Sequence, residues 1–361
     1  MREAARPKAF SFSSRLGGRW LLVPVAVLLA ACASVPLGPW PGGGPGTTTT
    51  VSSAEESALR ALVSQQDRLY RVAGPLLVNN PDLCPNHARN LLGFTAKNRY
   101  SYSADFVGAA EKAFGMGERL KIMGVLAGSG AARAGLRRGD ELVAIEDQQL
   151  PQGQNAERQA SSILAPLVAG RTSVKLAILR DGTPMTLNVP LTYACAFGIE
   201  LGNTDNVLAY NDGHRVLITR GMLNATRSDD ELAYVMAKEM AHNALGHAGR
   251  MRMSATVGGI IDNLVLIRPD MSTMVGMAGV KPMPADLDIA ADRLSLYMLA
   301  RAGYNIDGAP AFWQRMATQY PPTILTAYTA LHPSTAQRIQ AMEATIKELR
   351  TRRTERKPLL P

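Results

Sequence analysis

The stretch that most constrains this chain is a helix beginning at Asp229. Ser228 with Glu231 three residues later makes a capping box, and Asp229, Asp230 and Glu231 put negative charge where a helix N-terminus favours it. Leu232, Val235, Met236 and Met240 recur at helical spacing, so the segment is predicted to pack inside a domain and to run to about Arg250. Lys238 and His242 are four residues apart and share one face, with Glu239 beside them.

The chain has 361 residues, enough for two ordinary domains plus tails, and its 46% apolar and 19% charged residues fit a globular protein rather than a disordered one. Part of the +9 net charge sits at the ends, in Arg2, Arg6, Lys8, Arg15 and Arg19 and in Arg350, Arg352, Arg353, Arg356 and Lys357. A solvated basic tail over residues 346–361 is the plain reading, with an anionic membrane surface or cell wall as the alternative. No aromatic and basic alternation suggests nucleic acid as a partner. After the first five basic residues comes an apolar run, Trp20 to Ala31, too short to span a bilayer comfortably. This is the anatomy of a secretory signal over residues 1–32. Its end, Leu29, Ala30, Ala31 and Cys32, resembles the bacterial lipobox, which implies lipid on Cys32. No Asp follows Cys32, and by the same resemblance this points to the outer membrane, with the protein on the periplasmic side of a bacterial envelope. Residues 33–55, rich in Pro, Gly and Thr, read as a tether.

With Cys32 assigned to lipid, Cys84 and Cys195 form an even pair, which in an oxidising compartment suggests a disulfide; two buried free thiols are the alternative. Residues 56–104 carry helical spacing at Leu59, Leu62, Val63, Leu69 and Val72, a second helix is expected over 101–114, and His87 has a surface or capping role. Residues 105–192 then show a strand-like 120–126, the run from Gly128 through Gly135 and Leu136 to Gly139 and Asp140, a helix over 155–167, and two alternating strands, 173–179 and 184–189, around a turn at 180–182. This resembles a bacterial PDZ domain. The resemblance implies that the N–H groups of Phe114, Gly115, Met116 and Gly117 receive a peptide's C-terminal carboxylate, with the peptide added as a strand beside 120–126. A groove filled by the protein's own neighbours is the alternative.

Residues 193–345 open with a β-hairpin, Val207–Tyr210 and Arg215–Thr219 around Asn211, Asp212 and Gly213. The opening helix follows, then Asp288 and Asp292 at the start of a helix that continues to Ala302, Gly303 and Tyr304, then His332, Pro333 and Arg338. Two His at i and i+4 on a helix bind zinc while the Glu between them deprotonates water. Three ordered motifs make the chain similar to the zinc metallopeptidases that include HtpX, BepA and the CAAX prenyl proteases. The expected fold is α+β: a mainly helical zincin-like domain with a small β-hairpin or sheet, and a PDZ-type partly open β-barrel inserted near its N-terminus. The resemblance implies Glu239 as general base, His242 and Asp288 as zinc ligands, His332 as the donor to a developing oxyanion, and Asp292 as the carboxylate that orients the first ligand. His247 has a structural role, and the strand at 207–210 or its partner pairs with the substrate backbone.

Two positions depart from the family pattern. Asp for Glu at 288 shortens the ligand arm by about 1.5 Å. Lys238 stands where the first ligand His belongs, and an ammonium has three donors and no lone pair. Glu239, Asp288 and Asp292 favour its charged form, so Lys238 is expected to take over the metal's charge and to pair first with Asp292. Pointing along the groove into solvent is the alternative. Two functions follow: a lipid-anchored, PDZ-coupled zinc endopeptidase impaired by Lys238, or a non-catalytic scaffold that binds periplasmic chain ends and clients. Zinc is the cofactor in the first reading and none is needed in the second. Thr256 to Val280, rich in Gly and Met, reads as an ordinary packed helix, with a flexible lid or a membrane-touching helix as alternatives.

Overall fold

The computed structural model describes residues 53–247, 282–324 and 326–361. The signal segment with Cys32, most of the tether and the Gly/Met-rich stretch lie outside the described residues. Helix α1 (Ser53–Val78) is longer than its predicted core because Leu76 and Leu77, past Pro75, are fully buried and draw the last turn into the protein. Its first half packs Leu59 and Val63 against helix α2 (Val107–Phe114) and Met116. The second half, from Leu69 to Leu77, enters the main core. The segment 56–104 is therefore not wholly helical: strands β1 (Ala88–Leu91) and β2 (Phe94–Lys97) follow α1, and 3-10 turns occupy part of the helix expected at 101–114. All of β2 is buried, so it shows no alternation from which a strand could be read.

β2 opens an antiparallel sheet with β3 (Lys121–Val125), β4 (Glu141–Ile145), β5 (Gln148–Gln149), β6 (Ser173–Arg180) and β7 (Thr183–Pro190). The order is β2-β3-β4-β6-β7, with β5 paired to β4, and no closed barrel is seen. The short helix α3 (Gly130–Arg133) is capped by Ser129, and α4 (Ala156–Gly170) buries Ala160, Leu164 and Val168 against the sheet. Asp140, at the end of the Gly-rich run, is buried and takes a two-pronged salt bridge from Arg180 at 2.8 and 2.8 Å. Strand β8 (Thr192–Cys195) returns beside β1 as a two-stranded ribbon, Ala88 opposite Cys195. The Cys84–Cys195 disulfide, with its Cα atoms 5.9 Å apart, closes this ribbon at its base.

Strand β9 (Gly198–Gly202) pairs in parallel with β11 (Arg215–Thr219), and β11 pairs antiparallel with β10 (Ala209–Asn211), so β10 is an edge. Asp212 accepts from the N–H groups of His214 and Arg215, and Gly213 turns the chain at φ +96°. Helices α5 (Arg220–Ala225), α6 (Asp229–Ala244), α7 (Ala285–Ala302), α8 (Ala309–Gln319), α9 (Tyr328–Leu331) and α10 (Ala336–Thr354) complete an α+β fold. Half of the expected capping box starts α6: Ser228 accepts from Glu231 N–H, but the Glu231 carboxylate reaches past Ser228 to the N–H of Arg227. The helix ends at Ala244, six residues short of the prediction, because Gly246 takes the left-handed conformation at φ +69°. Helix α7 ends at Gly303, as its pattern implied.

The basic C-terminus keeps most of its cations at the surface, as expected, but begins as an ordered helix rather than a loose tail. Helix α10 buries Ile346 and Leu349, and most of its cations are paired: Arg350 with Asp307 at 2.9 Å, Arg352 with Glu348 at 3.1 Å, Arg353 with the carbonyl of Ala300 at 2.9 Å. Among the described residues no helix is long and apolar enough to cross a membrane. Replacing Cys84 and Cys195 together by Ser opens a cross-link spanning 111 residues and should lower stability by roughly 3–5 kcal/mol, read from denaturant unfolding.

Candidate metallopeptidase-type site

Helices α6 and α7 pack on one another in the main core, and each presents one polar stripe to the other. On α6 the stripe is Lys238, Glu239 and His242, all fully buried; on α7 it is Asp288 and Asp292, one turn apart and nearly as buried. His332 follows α9, and Arg338 lies in the first turn of α10, started by Thr335, whose hydroxyl accepts from Arg338 N–H. Every site residue expected on these helices is thus brought to one place. Burial of so many polar groups requires that each find a partner.

The Lys238 Nζ lies 3.0 Å from Asp288 Oδ1 and 3.0 Å from Asp292 Oδ1. Its remaining side faces the Trp313 ring, 5.4 Å from the centroid. Arg338 grips both oxygens of Asp292, at 2.7 and 3.0 Å, and donates to the carbonyls of His332 and Pro333. Asp288 Oδ1 is a hub, since His332 Nδ1 reaches it at 2.7 Å and His242 Nε2 stands 3.3 Å away. Burial by itself would raise the Asp288 carboxyl, but the Lys238 charge, and after it His332, outweigh burial and hold it far below the usual carboxylate range. Burial pushes the His242 imidazole below its ordinary value, with Asp288 opposing, so the ring is neutral near pH 7. His242 Nδ1 faces His247 Nδ1 at 2.9 Å.

Glu239 is held on both oxygens. Asn211, at the end of β10, donates to Oε2 at 2.6 Å, and the Tyr328 hydroxyl donates to Oε1 at 2.6 Å. Burial, and then the Glu239 charge, raise the Tyr328 hydroxyl well above its ordinary value, so it stays a donor. The His332 Nε2 is 3.9 Å from Glu239 Oε1. Trp313, Tyr328 and His332 stack in sequence, at 5.5 and 4.6 Å between ring centroids. Sequence reasoning missed Trp313 and Tyr328, which belong to no motif, and read Asn211 only as a turn residue. Asn243 adds a second tie to the hairpin, accepting from Gly213 N–H and donating to the Arg215 carbonyl.

His242, Asp288 and His332 offer donor atoms within 4.8 Å of one another, a set that could hold a metal ion. His242 Nε2 makes no hydrogen bond and faces Asp288 Oδ1 at 3.3 Å. The lysine decides against a zincin metal here. It lies against Asp288, the carboxylate of that set, and a dication about 4 Å from an ammonium would meet roughly 8 kcal/mol of repulsion at an effective dielectric of about 20. With Lys238 charged, these residues do not fit the family's zinc.

Phe114, Gly115, Met116 and Gly117 lie apart from this site and do not form the expected carboxylate loop. The Gly115 and Met116 N–H groups close the end of α2 on the carbonyls of Glu111 and Ala110, and the Met116 side chain is buried. Strand β3, beside which a peptide was expected, is bonded on one side to β2 and on the other to β4. The sheet's edges are β2 and β7.

Residues 199–346 match peptidase family M48. The mitochondrial metalloendopeptidase OMA1 of Schizosaccharomyces pombe is 23% identical over 57% of this chain and 58% of its own length. A putative β-barrel assembly-enhancing protease of Vibrio cholerae is 30% identical over 37% of this chain and 31% of its own. The OMA1 metalloendopeptidase of Arabidopsis thaliana is 29% identical over 34% and 26%. The chain thus spans less than two thirds of each of these relatives.

Arg338→Met should cost about 3–5 kcal/mol in thermal or urea unfolding because it strips a buried carboxylate of its two-pronged partner, whereas Arg350→Ala, on the surface, should change stability by less than about 1 kcal/mol. Motif order, buried geometry and family match agree in pointing to the metallopeptidases: residues 199–346 match peptidase family M48, and in that stretch Lys238 lies against Asp288.

Proposed function

We propose that this chain is a lipid-anchored protein on the periplasmic side of a bacterial outer membrane, whose M48 domain binds polypeptides without efficient zinc-dependent cleavage. The observation that carries this reading is the position of Lys238, 3.0 Å from both Asp288 and Asp292 and fully buried. A zinc ion in this family supplies an activated water and polarises the scissile carbonyl. Here Glu239, the residue that would take the water's proton, is buried and held on both oxygens by Asn211 and Tyr328. The open edge of β10 offers a place for an extended segment to pair beside the site. The Cys84–Cys195 bridge suits an oxidising compartment, and the Cys32 lipobox supplies the anchor.

The metalloendopeptidase activity named for the relatives is the competing reading, and the His242, Asp288 and His332 donor set favours it. Metal analysis of the purified full chain, with hydrolysis of an unfolded protein substrate, separates the two. Zinc well below one equivalent, and residual cleavage unaltered by Glu239→Gln, are expected. One equivalent of zinc, together with cleavage abolished by Glu239→Gln and by a chelator, would overturn the proposal.

The inserted sheet is a PDZ-type module in this reading, binding the C-terminal tails of envelope proteins. Its groove lies at β2 beside α4, because β2 is the edge that shares a core with that helix. The Gly93 carbonyl accepts from Leu126 N–H, so by strand alternation the backbone of Phe94 faces the outer edge. On adding a peptide with a free C-terminus, hydrogen exchange should slow at residues 92–97. Slowing at 114–121 instead would return the groove to the loop after α2.

A further inference from the structure

The proposal that the M48 domain holds no catalytic zinc leaves a physical problem: three carboxylates are buried together between α6, α7 and α9. Glu239 is satisfied by neutral donors, Asn211 and Tyr328. Asp288 and Asp292 are not, and among the described residues the cations within 4.0 Å of them, apart from the histidines, are Lys238 and Arg338. Arg338 is committed. Its Nε and Nη2 serve Asp292, its Nη1 serves two backbone carbonyls, and Nη1 is 3.7 Å from Asp288. Asp288 therefore depends on Lys238 for its full counter-charge.

We infer that Lys238 is a built-in structural cation that does for this domain what a bound metal does for a metalloprotein: it cross-links α6 to α7 and neutralises the carboxylates between them, making the fold independent of metal. Three features of the site carry this. First, the ammonium is enclosed by partners: it donates to Asp292 Oδ1 at 3.0 Å, lies 3.0 Å from Asp288 Oδ1, and faces the Trp313 ring. Second, the contact is fully buried, so water cannot replace it. Third, the two carboxylates sit one turn apart on α7 while the lysine sits on α6, so a single charge joins two helices that also share the main core. Arg338 extends the same network to α10, and His332 extends it to the end of α9. A neutral side chain at 238 leaves a net negative cluster in a dry interior, which is strongly destabilising.

The inference rests on the reading that zinc is absent from the working protein, and the experiment separates the failure of one from the failure of the other. Thermal unfolding is followed for the full chain and for three variants, Lys238→Met, Lys238→Met with Asp288→Asn, and Lys238→His, each with zinc chloride and with a chelator. The unmodified chain should melt at the same temperature in both. Lys238→Met keeps the length of the side chain and removes the charge, and its midpoint should fall by roughly 10 °C. Adding Asp288→Asn should recover at least half of that loss, because it removes the carboxylate left without a partner. Lys238→His should be weaker than the unmodified chain in chelator and should regain its midpoint with zinc, binding about one equivalent. A Lys238→Met chain that melts like the parent, or a further loss on adding Asp288→Asn, would overturn the structural-cation role while leaving the zinc-free reading standing. If Lys238→Met does not fold, the Lys238→His chain decides: indifference to zinc rejects the inference, and rescue by zinc supports it. A parent midpoint raised by zinc, with metal bound, rejects the zinc-free reading itself.

Discussion

One ammonium set between two aspartates organises the catalytic-type half of this protein. The Lys238 Nζ bridges Asp288 and Asp292, and around that contact are arranged the guanidinium of Arg338, the imidazoles of His242 and His332 and the ring of Trp313. Such a network costs desolvation for each charge, and it holds together only when every member is satisfied. That requirement explains why so many backbone and side-chain donors converge here, down to Tyr328 and Asn211 on Glu239. The two aspartates of the cluster thus meet two cations from within the chain, Lys238 and Arg338.

The scaffold that holds the network is built by α1. Its last turns enter the same core as α6 and α7, and its first turns pack against α2 and Met123 of β3. Arg68 and Arg71 from α1 both contact Asp229 at the start of α6, while Asp67 meets Arg138 of the sheet's Gly-rich run at 2.6 Å. Arg68 also donates to the carbonyls of Leu223, Thr226 and Ser228, securing the turn between α5 and α6. The disulfide and the β1–β8 ribbon close the neck from which the inserted sheet leaves the helical core and to which it returns. One helix and one cross-link therefore tie the two parts together in the same chain.

Much of the site was readable because helical spacing is strict. Lys238 and His242 had to share a face of α6, and Asp288 and Asp292 a face of α7, whatever the packing. The electrostatic argument from there to a Lys238–Asp292 pair needed only that the two faces meet, and they do. The Cys84–Cys195 pairing followed from parity and compartment in the same way. Strand β2 was not readable, because four consecutive buried residues carry no period, and so the edge of the sheet was placed one strand too far along the chain. The C-terminal arginines looked like a free basic tail because a sequence shows charges but not the acids and carbonyls that other elements bring to them.

By itself the sequence determined the type and order of the chemistry: an acidic-capped helix with Lys, Glu and His, a second helix with two Asp one turn apart, and a late His and Arg. Periodicity and motif order are local or ordered along the chain, so they survive without coordinates. Tertiary structure alone decided the partners. It chose Tyr328 and Asn211 for Glu239, Trp313 for the third side of the ammonium, and β2 rather than β3 for the open sheet edge. Those choices depend on which surfaces pack together, and burial then leaves each polar group only the neighbours that packing provides.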